Sequence, residues 1–269
     1  MKKLIYVIAA ALMAVPVSAQ NLTILHFNDT HSNIDPIRSG ELKGRGGVIE
    51  QAAYIDSVRK ADGKKNVLLL SAGDFSQGTS YFPELGGDIE IDVMNATGYD
   101  AVAIGNHEFD NGVPELARRL KRLKAAVVCA NYDFSGTALE GVVEPYVILK
   151  KAGKKVGIIG LLPDISVVVV ADIVRGLEYK DPVEVVNRYA EYLKNKKKCD
   201  FVICLSHLGY REDRDLAKQL RNVDVIVGGH SHTFLDEMVS VDNIDGKSLP
   251  IVQNWHWGLN VGKLNVTWE

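Results

Sequence analysis

Five short segments of the chain carry side chains that bind metal ions readily. They are Asn28-Asp29-Thr30-His31, Gly73-Asp74, Gly105-Asn106-His107-Glu108-Phe109-Asp110, Ser206-His207 and Gly229-His230-Ser231-His232. Each follows a short apolar run of the kind that predicts a β-strand. Because the carboxyl ends of neighbouring strands meet at one edge of a sheet, we expect the five segments to converge on one site.

The spacing of the acidic and imidazole side chains favours chelation. Asp29 and His31 are two residues apart, so in an extended segment both would point the same way and bind one cation, with a turn-capping role as the alternative. His230 and His232 repeat this spacing after two glycines that let the backbone turn tightly, with polar core packing as the alternative. Asp74 has two oxygens with which to bridge two ions, although Gly-Asp is also a common turn.

The third segment places an amide, an imidazole and two carboxylates at the end of one predicted strand. Asn106 offers a neutral oxygen to a metal ion, and His207 offers a nitrogen from the tip of another strand. We expect His107 to point elsewhere and to be oriented by Asp110, an arrangement that fixes the tautomer of an imidazole and raises its basicity. Glu108 is expected to hold the loop through hydrogen bonds, with metal ligation as the alternative.

Strand and helix patterns alternate along the chain and predict an α/β protein. The predicted strands are 22–27, 67–71, 101–104, 127–130, 201–205 and 223–227, and the predicted helices are 47–59, 113–124 and 182–197. Residues 146–150 and 155–161 read as a hairpin, and short strands are expected beyond Phe234 around turns at 243–246 and 257–258. A mixed sheet or a pair of sheets with outer helices accounts for this order.

The N-terminal residues have the features of a secretory signal peptide. Lys2 and Lys3 precede the apolar stretch 4–15, which is too short to span a bilayer and is followed by a small-residue cleavage site ending at Ala19. We therefore expect a signal peptide at 1–19, a single domain at 20–269, and a periplasmic or secreted protein.

Charge and cysteine content exclude several classes of function. The chain has 31 Lys and Arg against 34 Asp and Glu, which gives no basic footprint for binding nucleic acid or a membrane surface. The three cysteines, Cys129, Cys199 and Cys204, are odd in number, so at least one is unpaired within the chain. Two of them lie in apolar runs, and we expect none to be a ligand or a nucleophile.

The ordered set of segments resembles the catalytic, N-terminal domain of bacterial 5'-nucleotidases, within the calcineurin-like metallophosphoesterase superfamily. The motifs that carry the resemblance span residues 22–232 and are Phe27-Asn28-Asp29-Thr30-His31, Ala72-Gly73-Asp74, Gly105-Asn106-His107-Glu108-Phe109-Asp110, Ser206-His207-Leu208-Gly209 and Gly228-Gly229-His230-Ser231-His232. The resemblance implies the metallophosphatase fold, a four-layer αββα sandwich of two mixed β-sheets flanked by helices. It also implies that residues 20–269 form the metallophosphoesterase catalytic domain.

The resemblance further implies a dinuclear metal site. One ion is then held by Asp29, His31, Asp74 and His232, and the other by Asp74, Asn106, His207 and His230. His107, paired with Asp110, is implied to contact the substrate without binding metal. Nitrogen and oxygen ligands without thiolates suit Zn²⁺, Mn²⁺ or Fe²⁺ and leave the identity of the metal open.

The expected activity is hydrolysis of a phosphate ester, of the nucleotide type. Two divalent ions about 4 Å apart can polarise a phosphate and provide a hydroxide near neutral pH, with His107 and Asp110 assisting departure of the alkoxide. Sulfur-linked esters are an open variant of the substrate. A metal-dependent binding module without turnover is the alternative from another class.

Full-length 5'-nucleotidases continue into a second domain that supplies arginines and aromatic side chains for the nucleoside, whereas this sequence stops at Glu269. We therefore expect either open substrate recognition or a catalytic subunit that depends on a separate chain carrying the C-terminal nucleotide-binding domain. Trp255, His256 and Trp257 are candidates for a stacking wall beside the site, with packing in the core or at an edge as the alternative.

Overall fold

The computed structural model describes residues 21–170 and 172–268. The predicted signal peptide lies outside these residues. The strands are β1 (Asn21–Phe27), β2 (Val67–Ser71), β3 (Ala101–Ala103), β4 (Ala126–Val128), β5 (Tyr132–Asp133), β6 (Tyr146–Lys151), β7 (Lys154–Leu161), β8 (Glu178–Tyr179), β9 (Phe201–Ser206), β10 (Val225–Val227), β11 (Val239–Asp242), β12 (Ser248–Val252) and β13 (Gly262–Thr267). The α-helices are α1 (Val48–Asp62), α2 (Tyr81–Leu85), α3 (Asp88–Thr97), α4 (Val113–Leu120), α5 (Pro182–Asn195) and α6 (Tyr210–Ala217).

Two mixed sheets form the centre of the molecule. The first has the order β13-β1-β2-β3-β4, with β1 to β4 parallel and β13 antiparallel to β1. The second has the order β11-β12-β10-β9-β7-β6, with β12, β10, β9 and β7 parallel and an antiparallel strand at each edge. The predicted hairpin is therefore the pair β6 and β7 at one of these edges.

Apolar side chains fill three layers between and outside the sheets. Residues such as Leu68, Val128 and Ile203 pack between the two sheets. Helix α1 and the helices α3 and α4 cover the outer face of the first sheet, and α5 and α6 cover the outer face of the second. The expected four-layer αββα sandwich is confirmed. Its central strands are covered on both faces, which accounts for the continuous apolar runs in the sequence.

The predicted element boundaries agree with the structure in part. Helix α5 begins as predicted, with Pro182 in its first turn and the side chain of Asp181 accepting a hydrogen bond from the Glu184 amide at 3.0 Å. Helix α4 ends at Leu120, four residues before the predicted end. The sequence prediction omitted α2, α3 and α6, and the short antiparallel pair of β5 and β8.

Cys129, Cys199 and Cys204 are free and buried, as expected for the two that lie in apolar runs, Cys129 and Cys204. Within the described part of the chain, no helix has the length and hydropathy needed to cross a membrane.

Candidate metal centre

All five chemistry-bearing segments lie at the carboxyl ends of parallel strands. Three of them follow β1, β2 and β3 of the first sheet, and two follow β9 and β10 of the second. The two sheets therefore contribute to one site at the edge where these strand ends meet. The predicted convergence of the segments is confirmed.

The first cluster of candidate ligands consists of Asp29, His31 and His232, whose ligand atoms all lie within 4.8 Å of one another. The Nε2 atoms of the two histidines are 2.9 Å apart. Oδ1 of Asp29 lies 3.4 Å from Nε2 of His232 and 3.9 Å from Nε2 of His31. Two imidazoles and a carboxylate thus face one point, which is the arrangement a divalent cation requires.

The second cluster consists of Asp74, His207 and His230, again within 4.8 Å of one another. Nδ1 of His207 lies 2.6 Å from the carbonyl oxygen of Ala72, which can only accept, so this nitrogen carries a proton. Its Nε2 is turned toward Oδ2 of Asp74 at 3.0 Å. The backbone carbonyl therefore fixes the ring in the orientation that presents Nε2 to a metal ion.

Asn106 adds a neutral oxygen beside these clusters. The side chain is buried, and its Oδ1 has no hydrogen-bond partner among the described residues. A buried acceptor without a partner is costly, and a bound cation removes that cost. The donor set of carboxylate, imidazole and amide groups fits Zn²⁺, Mn²⁺ or Fe²⁺, so the residues present suit a pair of divalent ions.

The electrostatics of the second cluster also favour bound positive charge. Burial opposes ionisation of Asp74, but the neighbouring His207 outweighs it and holds the pKa of the Asp74 carboxyl well below its usual range. Burial likewise disfavours charged His207, yet the carboxylates of Asp74 and Asp29 raise its pKa to about 10. Without metal, a proton on His207 therefore balances the carboxylates, and a divalent ion would take over that role.

Several candidate ligands have left-handed backbone conformations. Five residues have φ between 47° and 72°, namely Asp29, His31, Asp74, His230 and His232. The expectation that the segment with Asp29 and His31 is extended is therefore wrong, because both residues adopt positive φ and their side chains meet through a tight turn. Asp and His tolerate this region better than most residues, at a cost of about 1–3 kcal/mol each.

Glycines allow the ligand loops to approach one another. A Cβ atom on Gly105 would collide with Oδ1 of Asp74 and lie 2.6 Å from Nε2 of His207. A Cβ on Gly229 would lie 2.7 Å from the carbonyl oxygen of Ala72. Both glycines are thus required for close approach, since neither has a positive φ.

Glu108 holds two of the loops together, as the sequence predicted. Its Oε2 accepts hydrogen bonds from the amides of Gly105 at 2.6 Å and Asp74 at 2.9 Å, and its Oε1 accepts one from the Ser76 amide at 2.9 Å. Beneath it the fully buried Arg119 donates to Oγ of Ser76 and to the carbonyl oxygen of Glu108. Glu108 belongs to neither ligand cluster, and burial raises its pKa to about 7.

His107 and Asp110 form the pair predicted from the sequence. Nδ1 of His107 lies 2.9 Å from Oδ2 of Asp110, and both side chains are about one third exposed. The backbone amide of His107 donates to Oδ1 of Asp74 at 2.9 Å, and its ring packs edge-on against His31 at 5.4 Å between centroids. The hydrogen bond with Asp110 raises the pKa of His107. A partly exposed imidazole that favours its charged form thus stands beside both clusters.

Two polar side chains that the sequence prediction did not single out hold the loops around the first cluster. Oε1 of Gln253 accepts from the Thr233 amide at 2.6 Å and from Oγ of Ser231 at 2.9 Å. Asn28 donates to Oδ2 of Asp29 at 2.7 Å and accepts from the Asn254 amide at 2.9 Å. Gln253 directly follows strand β12, so the rule that found the ligands would also have identified it.

The comparison with known proteins decides the family. A sequence profile described as Calcineurin-like phosphoesterase matches residues 22–234, which cover all five segments. The chain belongs to the calcineurin-like phosphoesterase family. The family resemblance read from the motifs is therefore confirmed.

Individual curated proteins are also similar in sequence to most of this chain. The snake venom 5'-nucleotidase of Naja atra is 37% identical over 270 residues, which cover 92% of this chain and 50% of the relative. The 5'-nucleotidase of Homo sapiens is 34% identical over 274 residues, covering 93% and 47%. This chain thus spans about half the length of the curated relatives it matches.

Solved structures give the same relationship in three dimensions. The 5'-nucleotidase precursor from Thermus thermophilus superposes with a TM-score of 0.85 at 38% identity, covering 93% of this chain and 52% of that one. The NAD nucleotidase of Haemophilus influenzae superposes with a TM-score of 0.83 at 30% identity, covering 92% and 47%. The predicted metallophosphatase fold is confirmed.

Proposed function

We propose that the chain is the catalytic domain of a dinuclear-metal phosphoesterase that hydrolyses nucleotide-type phosphate esters. The observation that carries the proposal is the pair of ligand clusters, each drawn from both sheets, beside the partly exposed His107. The likeness to 5'-nucleotidases supports the substrate class.

In this proposal Asp29, His31, Asp74 and His232 would hold one ion, and Asp74, Asn106, His207 and His230 would hold the other. When bound, the two ions supply Lewis-acid stabilisation of the phosphate and lower the pKa of coordinated water.

The protein's own contribution to the chemistry centres on His107. Because Nδ1 is held by Asp110, Nε2 is the ring nitrogen free to donate a proton. From beside the clusters, Nε2 donates to a phosphate or leaving-group oxygen as negative charge develops there. Asp110 keeps the ring in the productive orientation and stabilises its protonated form, while Glu108 and Arg119 keep the loop that carries His107 in place.

The test is hydrolysis of an aryl phosphate by the metal-free chain before and after addition of Mn²⁺ or Zn²⁺. We expect activity to appear on addition, to disappear with a strong chelator, and to accompany two equivalents of bound metal. One equivalent or less in fully active protein would contradict the dinuclear assignment. Full metal loading without turnover of any nucleotide, nucleotide sugar, cyclic phosphate or aryl phosphate would favour a binding module.

We also propose that nucleoside selectivity depends on a second domain that these 269 residues do not include, because the matched relatives are about twice as long. Without that domain, parts of the substrate distant from the phosphate contribute little binding energy. A preference for AMP over an aryl phosphate of about a thousandfold in kcat/KM, worth roughly 4 kcal/mol, would contradict this.

Export is proposed from the sequence features of residues 1–19, and we place the mature protein in the periplasm or outside the cell. N-terminal sequencing of the exported protein, with Gln20 expected as its first residue, tests this.

A further inference from the structure

Four ring-bearing side chains form a continuous wall that starts at the first ligand cluster. The aromatic wall consists of Phe234, Trp255, His256 and Trp257. Ring centroids are 6.1 Å apart between Phe234 and Trp255, 4.8 Å between Trp255 and His256, and 4.4 Å between His256 and Trp257. The ring of His256 also lies 4.7 Å from the ring of His232, so the wall contacts a candidate metal ligand directly.

Backbone hydrogen bonds attach the wall to both segments that supply the first cluster. The amide of Trp257 donates to the carbonyl oxygen of Asp29 at 2.7 Å, and the amide of Trp255 donates to the carbonyl oxygen of Thr233 at 3.1 Å. The carbonyl oxygen of Trp255 accepts from Asn28 at 2.6 Å. The position of the wall relative to the cluster is therefore fixed by the fold.

The conformation of the wall is unusual for bulky residues. Trp255 has φ 53° and Trp257 has φ 58°, a region that aromatic residues rarely adopt. Such conformations persist where surrounding contacts impose them, and they are concentrated at functional sites.

The wall is also accessible, which distinguishes it from core packing. Trp257 is 36% exposed and Phe234 is 51% exposed, whereas aromatic residues such as Phe27 and Phe109 are fully buried. Neutral, flat, partly exposed rings beside a polar cluster provide stacking faces for another flat ring.

We propose that the aromatic wall is the subsite for the organic part of the substrate, and that it binds a planar aromatic group joined to the phosphate. This inference rests on the proposed function and adds a preference for one class of ester. The planar group is either an aryl ring bonded to the ester oxygen or a nucleobase carried on a ribose. Contact between the wall and His232 places the rings next to the cluster that would bind the phosphate once metal is present.

Paired substrates isolate the contribution of the flat group in the metal-loaded chain. AMP is compared with ribose 5-phosphate, and phenyl phosphate with ethyl phosphate, by the ratio of kcat/KM within each pair. We expect Trp257→Leu to lower at least one ratio about tenfold, the effect of losing one stacking partner, and Trp257→Phe to retain most of it. A loss confined to the first pair identifies a nucleobase, and a loss in the second identifies an aryl ring.

Trp268→Leu is the matched control. Trp268 packs against Phe201 at the start of β9, the end of that strand opposite His207, so its removal should leave both ratios unchanged. As a readout without turnover, the dissociation constants of phenylphosphonate and methylphosphonate are measured by calorimetry. We expect the phenyl compound to bind more tightly, with the advantage reduced by Trp257→Leu and kept in Trp268→Leu.

The inference would be overturned if Trp257→Leu and Trp255→Leu both left the kcat/KM ratios and the phosphonate affinities unchanged. The proposed function would still stand. If no ester is hydrolysed, the proposed function fails, and the phosphonate measurement still decides whether the wall binds a flat group.

Discussion

The side-chain amide of Gln253 donates a hydrogen bond to the carbonyl oxygen of Gly229 at 2.5 Å, directly before the candidate ligand His230. The oxygen of the same side chain accepts from Thr233, directly after His232. One buried residue thus fixes both ends of the loop that supplies an imidazole to each cluster.

We expect Gln253→Met to weaken metal binding by about 10- to 100-fold, the usual effect of losing a residue that orients metal ligands. Competition with a fluorescent chelator measures the affinity, and circular dichroism checks the fold. Gln219→Met is the control, since Gln219 is exposed and its side chain donates to the nearby carbonyl oxygen of Asp215, far from both clusters. Equal affinities in both variants would show that the loop holds its position without Gln253.

His107 and His230 should respond differently to truncation. His107→Ala is expected to retain two equivalents of metal while kcat falls by about 10²- to 10⁴-fold, because a proton donor is lost and the clusters remain. His230→Ala should lose metal instead. Elemental analysis beside steady-state kinetics makes the distinction, and equal metal loss in both variants would place His107 among the ligands.

Removal of the Glu108 carboxylate should destabilise the fold through its buried partners. Glu108→Ala leaves three backbone amides without an acceptor, each worth about 1–3 kcal/mol, so we expect a loss of several kcal/mol in the free energy of unfolding. Glu115→Ala, which removes an exposed ion pair with Arg118, should cost under about 1 kcal/mol. Urea denaturation of metal-free protein compares them, and similar losses in both would contradict the structural role of Glu108.

Asp213 predicts a pH dependence of stability. Burial raises its pKa from an ordinary value of 3.8 to about 7, against the opposing hydrogen bond from Ser206. Because the folded state binds this proton more tightly than the unfolded state, the stabilisation is complete below about pH 4 and is lost as the pH rises to about 7.

The difference in unfolding free energy between wild type and Asp213→Asn, measured without metal, should therefore decline across that interval by at most about 1.4 kcal/mol per pH unit. Asp215→Asn, an exposed position on the same helix, should show no such decline. A flat difference for Asp213→Asn would mean that this carboxyl remains ionised in the folded protein.

The parts of the fold predicted from sequence are those with a strong local signal. The run at β2 predicted its strand because all five residues are buried on both faces, and Pro182 predicted the start of α5. Helix α6 was missed because Leu216 and Ala217 are its only buried apolar residues, and its third buried residue is Asp213. Asp213 is accommodated in the interior by its hydrogen bond with Ser206, seven residues earlier, and a periodic pattern of apolar side chains does not register such a contact.

For the candidate site, the types and order of the ligand residues could be predicted, but their backbone geometry and supports could not. The left-handed conformations of Asp29 and His31 are imposed by hydrogen bonds to the chain around Asp74. Gln253 acts on a loop more than twenty residues away. These features depend on contacts between segments far apart in the sequence, which form when neighbouring strands pair within each sheet.

The contribution of both sheets to each cluster has a consequence for the kinetics of folding. In the first cluster Asp29 and His232 lie at opposite ends of the family domain, and in the second Asp74 and His207 come from different sheets. Neither cluster is complete until chain segments far apart in sequence have docked, a step delayed by loop-closure entropy. Bound metal would then act after the folding barrier, so it would slow unfolding much more than it speeds refolding, and the loaded domain would gain lifetime by resisting separation of its two halves.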